Sequence, residues 1–227
     1  MATAYFMELI IRMTDVQKDQ DHLEMVIYNC PSIPDRTRYI LTGEGVNPAE
    51  KMIEIGKKLD FEQVDCIAIP CITACFFHEQ LTRGIKTPIL HLIREITQYL
   101  KQHNYHSVGI MATDGTIQSR IFQQELEQNH IEAITPEERE QKMVMSLIYE
   151  DVKANRPARM EEFRTVETAL RDQGAEVIIL GCTELSVIKR DNQIGPGFLD
   201  AMEVLAMRSI QCCDHPLKEE YRDLITR

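Results

Sequence analysis

The chain has no tryptophan, few aromatic residues (6%) and a shortage of positive charge. Its 25 Lys and Arg residues face 36 Asp and Glu residues, a formal net charge of −11. Such a field repels phosphate backbones and anionic headgroups, so we expect neither nucleic-acid nor membrane partners. No apolar run approaches the ~20 residues of a bilayer-spanning helix, and residues 1–10 lack a signal-peptide pattern. These absences predict a cytoplasmic protein.

The cysteines lack the spacing that is typical of a disulfide framework. There are seven, an odd number: Cys30, Cys66, Cys71, Cys75, Cys182, Cys212 and Cys213. This pattern favours reduced thiols. Three of them cluster at 66–75, but no second pair or downstream histidines complete a zinc pattern. We therefore expect no metal site.

Short apolar runs alternate with stretches of helical periodicity along the whole chain. Strands are predicted at 24–29, 64–70, 88–91, 107–113, 131–134, 176–181 and 194–199. Helices are predicted at 2–13, 48–59, 115–129, 137–153 and 159–173. A 44% hydrophobic share supports a packed core. The alternation predicts an α/β fold with parallel sheets covered by helices on both faces.

A rough internal repeat places two cysteines in equivalent positions. Residues 64–73 and 175–183 both run from an apolar strand into a cysteine, Cys71 or Cys182, with a threonine close behind. The carboxyl ends of strands form the ligand-binding edge of α/β sheets, where the next helix offers its N–H groups. The repeat therefore predicts a cleft with one thiol on each side.

The repeat also predicts two pseudo-symmetric, three-layer lobes with the active-site cleft between them. The first lobe would comprise residues 1–102 plus 199–227, and the second residues 103–198. A lobe of this kind should open with a strand, yet residues 2–13 have helical periodicity. The first strand is therefore missing from the expected plan: either the true start of translation lies upstream, or the chain does without it.

Two facing thiols are suited to moving a proton at carbon. A thiol has a pKa near ~8.5, which a helix N-terminus lowers, so Cys71 and Cys182 can act as base and acid. One removes a proton from one face of a substrate α-carbon and the other delivers a proton to the opposite face. The competing interpretation is that both are core cysteines. Their equivalent places in the repeat favour a site.

At these residues the chain resembles the aspartate/glutamate racemase superfamily, and most of all its aspartate racemase branch. The segments that carry the resemblance are 33–37, 70–75, 88–91, 112–116 and 180–185. The resemblance implies that Cys71 and Cys182 are the acid/base pair. It also implies a set of substrate-binding residues: Arg36 for the distal carboxylate, Thr73, Thr113 and Thr183 lining the site, and Lys153 as a second cation. Glu184 follows the second cysteine, either as a helix cap or as a further site residue.

The sequence departs from the family pattern in three places. The opening strand with its Gly-Gly-Met-Gly-Pro turn is absent before Met1. Ile72 and Cys75 stand where the first motif has asparagine and histidine. Residues 199–202 lack the threonine that usually follows the aspartate. The first two departures bear directly on substrate binding.

The sequence thus predicts an isomerase: a racemase of an acidic amino acid, aspartate or glutamate. By resemblance it needs no pyridoxal phosphate, metal or nucleotide, takes a small-molecule substrate and is expected to form a homodimer. Two alternatives remain. One keeps the fold for another reaction, as in hydantoin racemases or maleate isomerases. The other is a non-catalytic ligand-binding homologue, which the missing strand and Ile72 would suit.

Overall fold

The computed structural model describes residues 2–227, and its centre is one parallel β-sheet. The four strands are β1 (Ser107–Met111), β2 (Glu132–Ile134), β3 (Val177–Leu180) and β4 (Phe198–Asp200), in the order β2-β1-β3-β4. Val108 aligns with Ala133 on one side and Val177 on the other. β1 and β3 are almost wholly buried, as strands covered on both faces must be.

Helices surround this sheet. They are α1 (Ala2–Met13), α2 (Arg36–Thr42), α3 (Pro48–Glu62), α4 (His78–Gly84), α5 (Leu92–Gln102), α6 (Asp114–Gln118), α7 (Ile121–Gln128), α8 (Glu138–Ser146), α9 (Met160–Asp172), α10 (Thr183–Asp191) and α11 (Ala201–Cys212). Short 3-10 helices occur at Asp19–Asp21, Ile72–Phe77 and Glu219–Tyr221, and a π-helix at Leu147–Val152. The predicted helix at 115–129 is therefore two helices, because Arg120 between them has a left-handed backbone (φ 56°).

Alternate side chains of the central strands enter two different cores. Val108 and Ile110 join the core formed with α1, α5, α7 and α11. Ile178 and Leu180 join the core formed with α8, α9 and α10. Because successive strand residues point to opposite faces, helices cover both sides of the sheet. The predicted α/β fold with a parallel sheet is confirmed.

The first half of the chain differs from the prediction, since the segments 24–29, 64–70 and 88–91 do not assemble into a second sheet. Among the described residues, their pairing is limited to one parallel bridge between Ile67 and Ile89. A strand forms only when a neighbour takes up its backbone groups, and residues 24–29 make no backbone hydrogen bond to any described residue. Their side chains are accordingly open: Val26, Ile27 and Tyr28 are 46%, 44% and 39% exposed.

Residues 2–13 do form a helix, as predicted, and Tyr5, Leu9 and Met13 bury its apolar face. α1 and α5 both pack against α11, so the C-terminal helix returns to the first part of the chain. The lobe boundaries at 1–102 plus 199–227 and at 103–198 stay a prediction. No helix within residues 2–227 is both long and apolar enough to cross a membrane.

Candidate active site

A cavity of about 1160 Å³, here called the cleft, contains all of the site residues predicted from the sequence. Its lining includes Arg36, Cys71, Thr73, Thr113, Lys153, Cys182, Thr183 and Glu184. These residues come from both halves of the chain, so the fold brings together what the sequence separates by more than a hundred positions. The roles assigned to them remain predictions.

Cys71 lies where an extended segment turns directly into the 3-10 helix Ile72–Phe77. Its Sγ is 2.9 Å from the hydroxyl of Thr73, and Nη2 of Arg36 donates to it across 3.7 Å. The proximity of Cys71 is the main cause that raises the pKa of the Arg36 guanidinium. The hydrogen-bond partners of this sulfur are thus a cation and a hydroxyl, and neither is a carboxylate.

Arg36 is the first residue of α2, and local hydrogen bonds hold the start of this helix beside Cys71. Asp35 caps the helix, its carboxylate accepting from the N–H of Arg38 at 3.1 Å. Nη1 of Arg36 donates to the carbonyl of Pro34 at 3.3 Å. Gly115 of α6 lies so close to α2 that a Cβ there would be 2.9 Å from Cα of Thr37. The missing side chain of Gly115 therefore lets α2 and α6 touch.

Three threonines tie this contact together inside the cleft. The hydroxyl of Thr37 donates to that of Thr113 at 3.3 Å, and Thr113 is 3.4 Å from the hydroxyl of Thr116. Thr113 was predicted from the sequence, whereas Thr37 and Thr116 were missed. Both lie within the segments 33–37 and 112–116 that carry the resemblance, so the signal was present.

Cys182 occupies the equivalent position in the second half, between β3 and the first residue of α10. Its thiol donates to Oε2 of Glu184 at 2.9 Å, and the hydroxyl of Thr183 donates to the same oxygen at 3.0 Å. Burial, and then the neighbouring carboxylate, raise the pKa of Cys182 well above its usual value. Its charged hydrogen-bond partner is thus opposite in sign to that of Cys71.

Lys153 enters the cleft from the end of the π-helix, and its Nζ lies 3.7 Å from the ring centroid of Tyr149. Burial acts to lower its pKa, but Glu184, Tyr149 and Cys182 together raise it, so the ammonium form is favoured. π-helical turns often occur at functional sites, and this one presents both side chains to the cleft. Tyr149 carries no sequence signal, because nothing local distinguishes it from a packing residue.

Two residues that depart from the family pattern, Ile72 and Cys75, lie in the 3-10 helix that follows Cys71. Ile72 is buried, and burial raises the pKa of Cys75 to about 12. His91 caps α5 by accepting the N–H of Arg94 through Nδ1 at 3.3 Å. Burial lowers the pKa of His91 to about 4, so its ring stays neutral near pH 7. All seven cysteines are free, and residues 2–227 contain no cluster suited to a metal ion.

Comparison with known proteins identifies the family of this chain. The family model for Asp/Glu/hydantoin racemases matches residues 1–208. The chain belongs to the Asp/Glu/hydantoin racemase family. It is similar to the broad specificity amino-acid racemase RacX of Bacillus subtilis, with 27% identity over 216 residues and 92% of each chain covered. The prediction of an amino-acid racemase, an isomerase, is thereby confirmed.

The structure also resembles solved structures of racemases and their homologues. The aspartate racemase of Picrophilus torridus superposes with a TM-score of 0.83 at 29% identity, covering 97% of this chain and 93% of that one. An aspartate racemase homologue from Pyrococcus horikoshii gives 0.74 at 20% identity, covering 94% of each chain. At 20% identity, the similarity to the Pyrococcus protein supports the fold only.

Proposed function

We propose that this racemase inverts an acidic amino acid, aspartate or glutamate, with Cys71 and Cys182 as its acid/base pair and without a cofactor. The proposal rests on one observation, that the two cysteines share one cleft and have charged partners of opposite sign. One thiol lies beside the guanidinium of Arg36 and the other donates to the carboxylate of Glu184. One sulfur is thus set to accept a proton and the other to give one.

In one turnover the substrate loses one proton and gains one, and the two sulfurs carry both. The thiolate of Cys71 takes the α-proton, and the electron pair of the C–H bond stays on the α-carbon, delocalised into the substrate carboxylate. The thiol of Cys182 then protonates the opposite face and becomes a thiolate. The reverse reaction exchanges the roles. Each sulfur must approach the carbon to ~3–3.5 Å, which calls for about 7 Å between them.

Recognition of a second carboxylate requires a local cation, because the net charge of −11 repels an acidic substrate. Arg36 can bind a carboxylate through two parallel hydrogen bonds, and Lys153 provides a second positive charge in the cleft. The hydroxyls of Thr73, Thr113 and Thr183 can accept from the ammonium group or donate to the other carboxylate. The similarity to the Picrophilus aspartate racemase supports this substrate class.

A second candidate is racemisation of larger or neutral amino acids. A volume of about 1160 Å³ exceeds what one small amino acid fills, and part of the lining is apolar, including Val26 and Ile27. The similarity to an enzyme named for broad specificity points the same way. Arg36 separates the two candidates, because only an acidic side chain presents a second carboxylate to its guanidinium.

The test incubates the purified protein, with no added cofactor, with single enantiomers of aspartate, glutamate, asparagine and lysine. Chiral chromatography should show aspartate or glutamate turning over fastest, and Cys71→Ser and Cys182→Ser should each abolish racemisation because a hydroxyl is a far poorer base. Turnover of a hydantoin or maleate alone would indicate a different reaction. Tight binding without turnover would indicate a ligand-binding protein.

Light scattering on the same sample tests the homodimer.

A further inference from the structure

We propose that Glu184 is a positioning residue that keeps the proton on Cys182 in the substrate-free enzyme, so that Cys71 is the more reactive of the two thiols. The proposed reaction needs one thiol and one thiolate but does not say which is which. This inference deepens that reaction and rests on it for its meaning. Its test does not require turnover.

The hydrogen bonds at Cys182 fix where the proton belongs. A carboxylate can only accept, so the 2.9 Å contact with Oε2 of Glu184 exists only while sulfur carries its hydrogen. Thr183 donates to the same oxygen at 3.0 Å and holds the carboxylate in place. Loss of the thiol proton would put two negative charges at this short distance.

The other charged group facing Cys182 acts in the opposite sense but less directly. Lys153 lies near enough to Glu184 and Cys182 to interact with both, and its ammonium packs on the ring of Tyr149. Among the described residues it makes no hydrogen bond to the sulfur, whereas the carboxylate does. The direct hydrogen bond to Glu184 has a larger effect on Cys182 than the nearby charge of Lys153, so the proton stays on Cys182.

Cys71 has no carboxylate among its hydrogen-bond partners in the described structure. It receives the guanidinium of Arg36 at 3.7 Å and lies 2.9 Å from the hydroxyl of Thr73, which can donate to a thiolate. The empty cleft therefore meets substrate with its base on the Cys71 side. The enantiomer whose α-hydrogen points to Cys71 is ready to react, and the other must wait for the protons to redistribute.

Steady-state kcat/KM cannot reveal this asymmetry, because the equilibrium constant of a racemisation is one and fixes the ratio of the two directions. Thiol alkylation can. Wild type, Glu184→Gln and Glu184→Asp would be treated with iodoacetamide between pH 6 and 10, and the Cys71 and Cys182 peptides quantified by mass spectrometry. The thiolate is the reacting form, so each rate reports its ionised fraction.

In the wild type we expect Cys71 to react at least about tenfold faster than Cys182 at pH 8. Glu184→Gln should speed Cys182 about tenfold and move its titration to lower pH, because a like charge has been removed. The Cys71 peptide in the same sample is the internal control and should keep its rate. Glu184→Asp, which retains the charge, should lie between the two.

A second variant, with the opposite expected effect, keeps the test informative if Glu184→Gln fails to fold. Lys153→Met removes the opposing cation and should slow Cys182 alkylation. An unchanged Cys182 profile in Glu184→Gln, or a wild type in which Cys182 reacts first, overturns the inference. Asymmetric alkylation without racemisation would leave it standing and remove the proposed function, and racemisation with equal alkylation would do the reverse.

Discussion

Replacing Arg36 by alanine tests the substrate class at the residue that should recognise it. Arg36 is half-buried on the first turn of α2, and its guanidinium enters the cleft beside Cys71. The substitution removes two things at once, a partner for the distal carboxylate and a cation next to the thiol. An informative experiment must separate the two losses.

The expected size of the first loss follows from the bond that is removed. A charge-assisted hydrogen bond is worth roughly 1.5–3 kcal/mol, and each 1.36 kcal/mol is about tenfold in rate. The kcat/KM for aspartate should therefore fall about 10- to 150-fold from this cause alone. Arg36→Lys should restore only part of it, because lysine keeps the charge and loses the two-pronged geometry.

Asparagine separates the carboxylate effect from the effect on Cys71. It has the shape of aspartate without the side-chain charge, so weaker ionisation of Cys71 lowers both rates, whereas loss of carboxylate binding lowers only the aspartate rate. The assay is the aspartate/asparagine ratio of kcat/KM by chiral chromatography, in wild type, Arg36→Ala and Arg36→Lys. Arg38→Ala is the matched control, since Arg38 is exposed on the same helix.

The ratio decides the question. We expect it to fall in Arg36→Ala by the factor given above and to stay unchanged in Arg38→Ala. If Arg36→Ala lowers both substrates equally, Arg36 serves the thiol and not the substrate. If the wild type handles asparagine or lysine as fast as aspartate, the acidic substrate class is wrong and the broader candidate is favoured.

Two further predictions concern packing and pH. Gly115→Ala places a Cβ 2.9 Å from Cα of Thr37. It should lower the free energy of unfolding, measured in urea, by about 1–3 kcal/mol and reduce activity by displacing α2. The control Gln118→Ala, on the same helix, should change neither. Burial, followed by Asp200, raises the pKa of Glu203 to about 7 despite a 2.6 Å ion pair with Lys189. The unfolded chain loses this proton at about pH 4.3, so the free energy of unfolding should fall as pH rises from about 4.3 to about 7. Glu203→Gln should flatten that slope in urea unfolding, and an unaltered slope would contradict the assignment.

The cysteine positions could be predicted from the sequence because their signals are local. An apolar run, a cysteine and a following helix start occupy about ten consecutive residues at Cys71 and again at Cys182. β3 and α10 form as expected for the same reason. Helix α3 also begins as predicted, with the side chain of Asn47 accepting the N–H of Ala49 at 3.0 Å.

The parts that could not be predicted depend on distant partners. Residues 24–29 have strand composition, but a strand needs neighbouring backbone groups, and the described chain offers them none. The break between α6 and α7 rests on a positive φ at Arg120, a conformation that arginine rarely adopts. Tyr149 lies in a π-helix that lines the cleft, and helical periodicity in the sequence does not predict a π-helix.

The central claim, that each cysteine serves one face of the substrate, is tested most directly by solvent exchange. Cys71→Ser and Cys182→Ser would be incubated in deuterium oxide with single enantiomers of the turned-over amino acid, and deuterium at the α-carbon followed by NMR. We predict that neither variant racemises and that each exchanges the α-proton of a different enantiomer, since each keeps one working thiol. Exchange of the same enantiomer by both variants, or full racemisation by either, would contradict the two-thiol account.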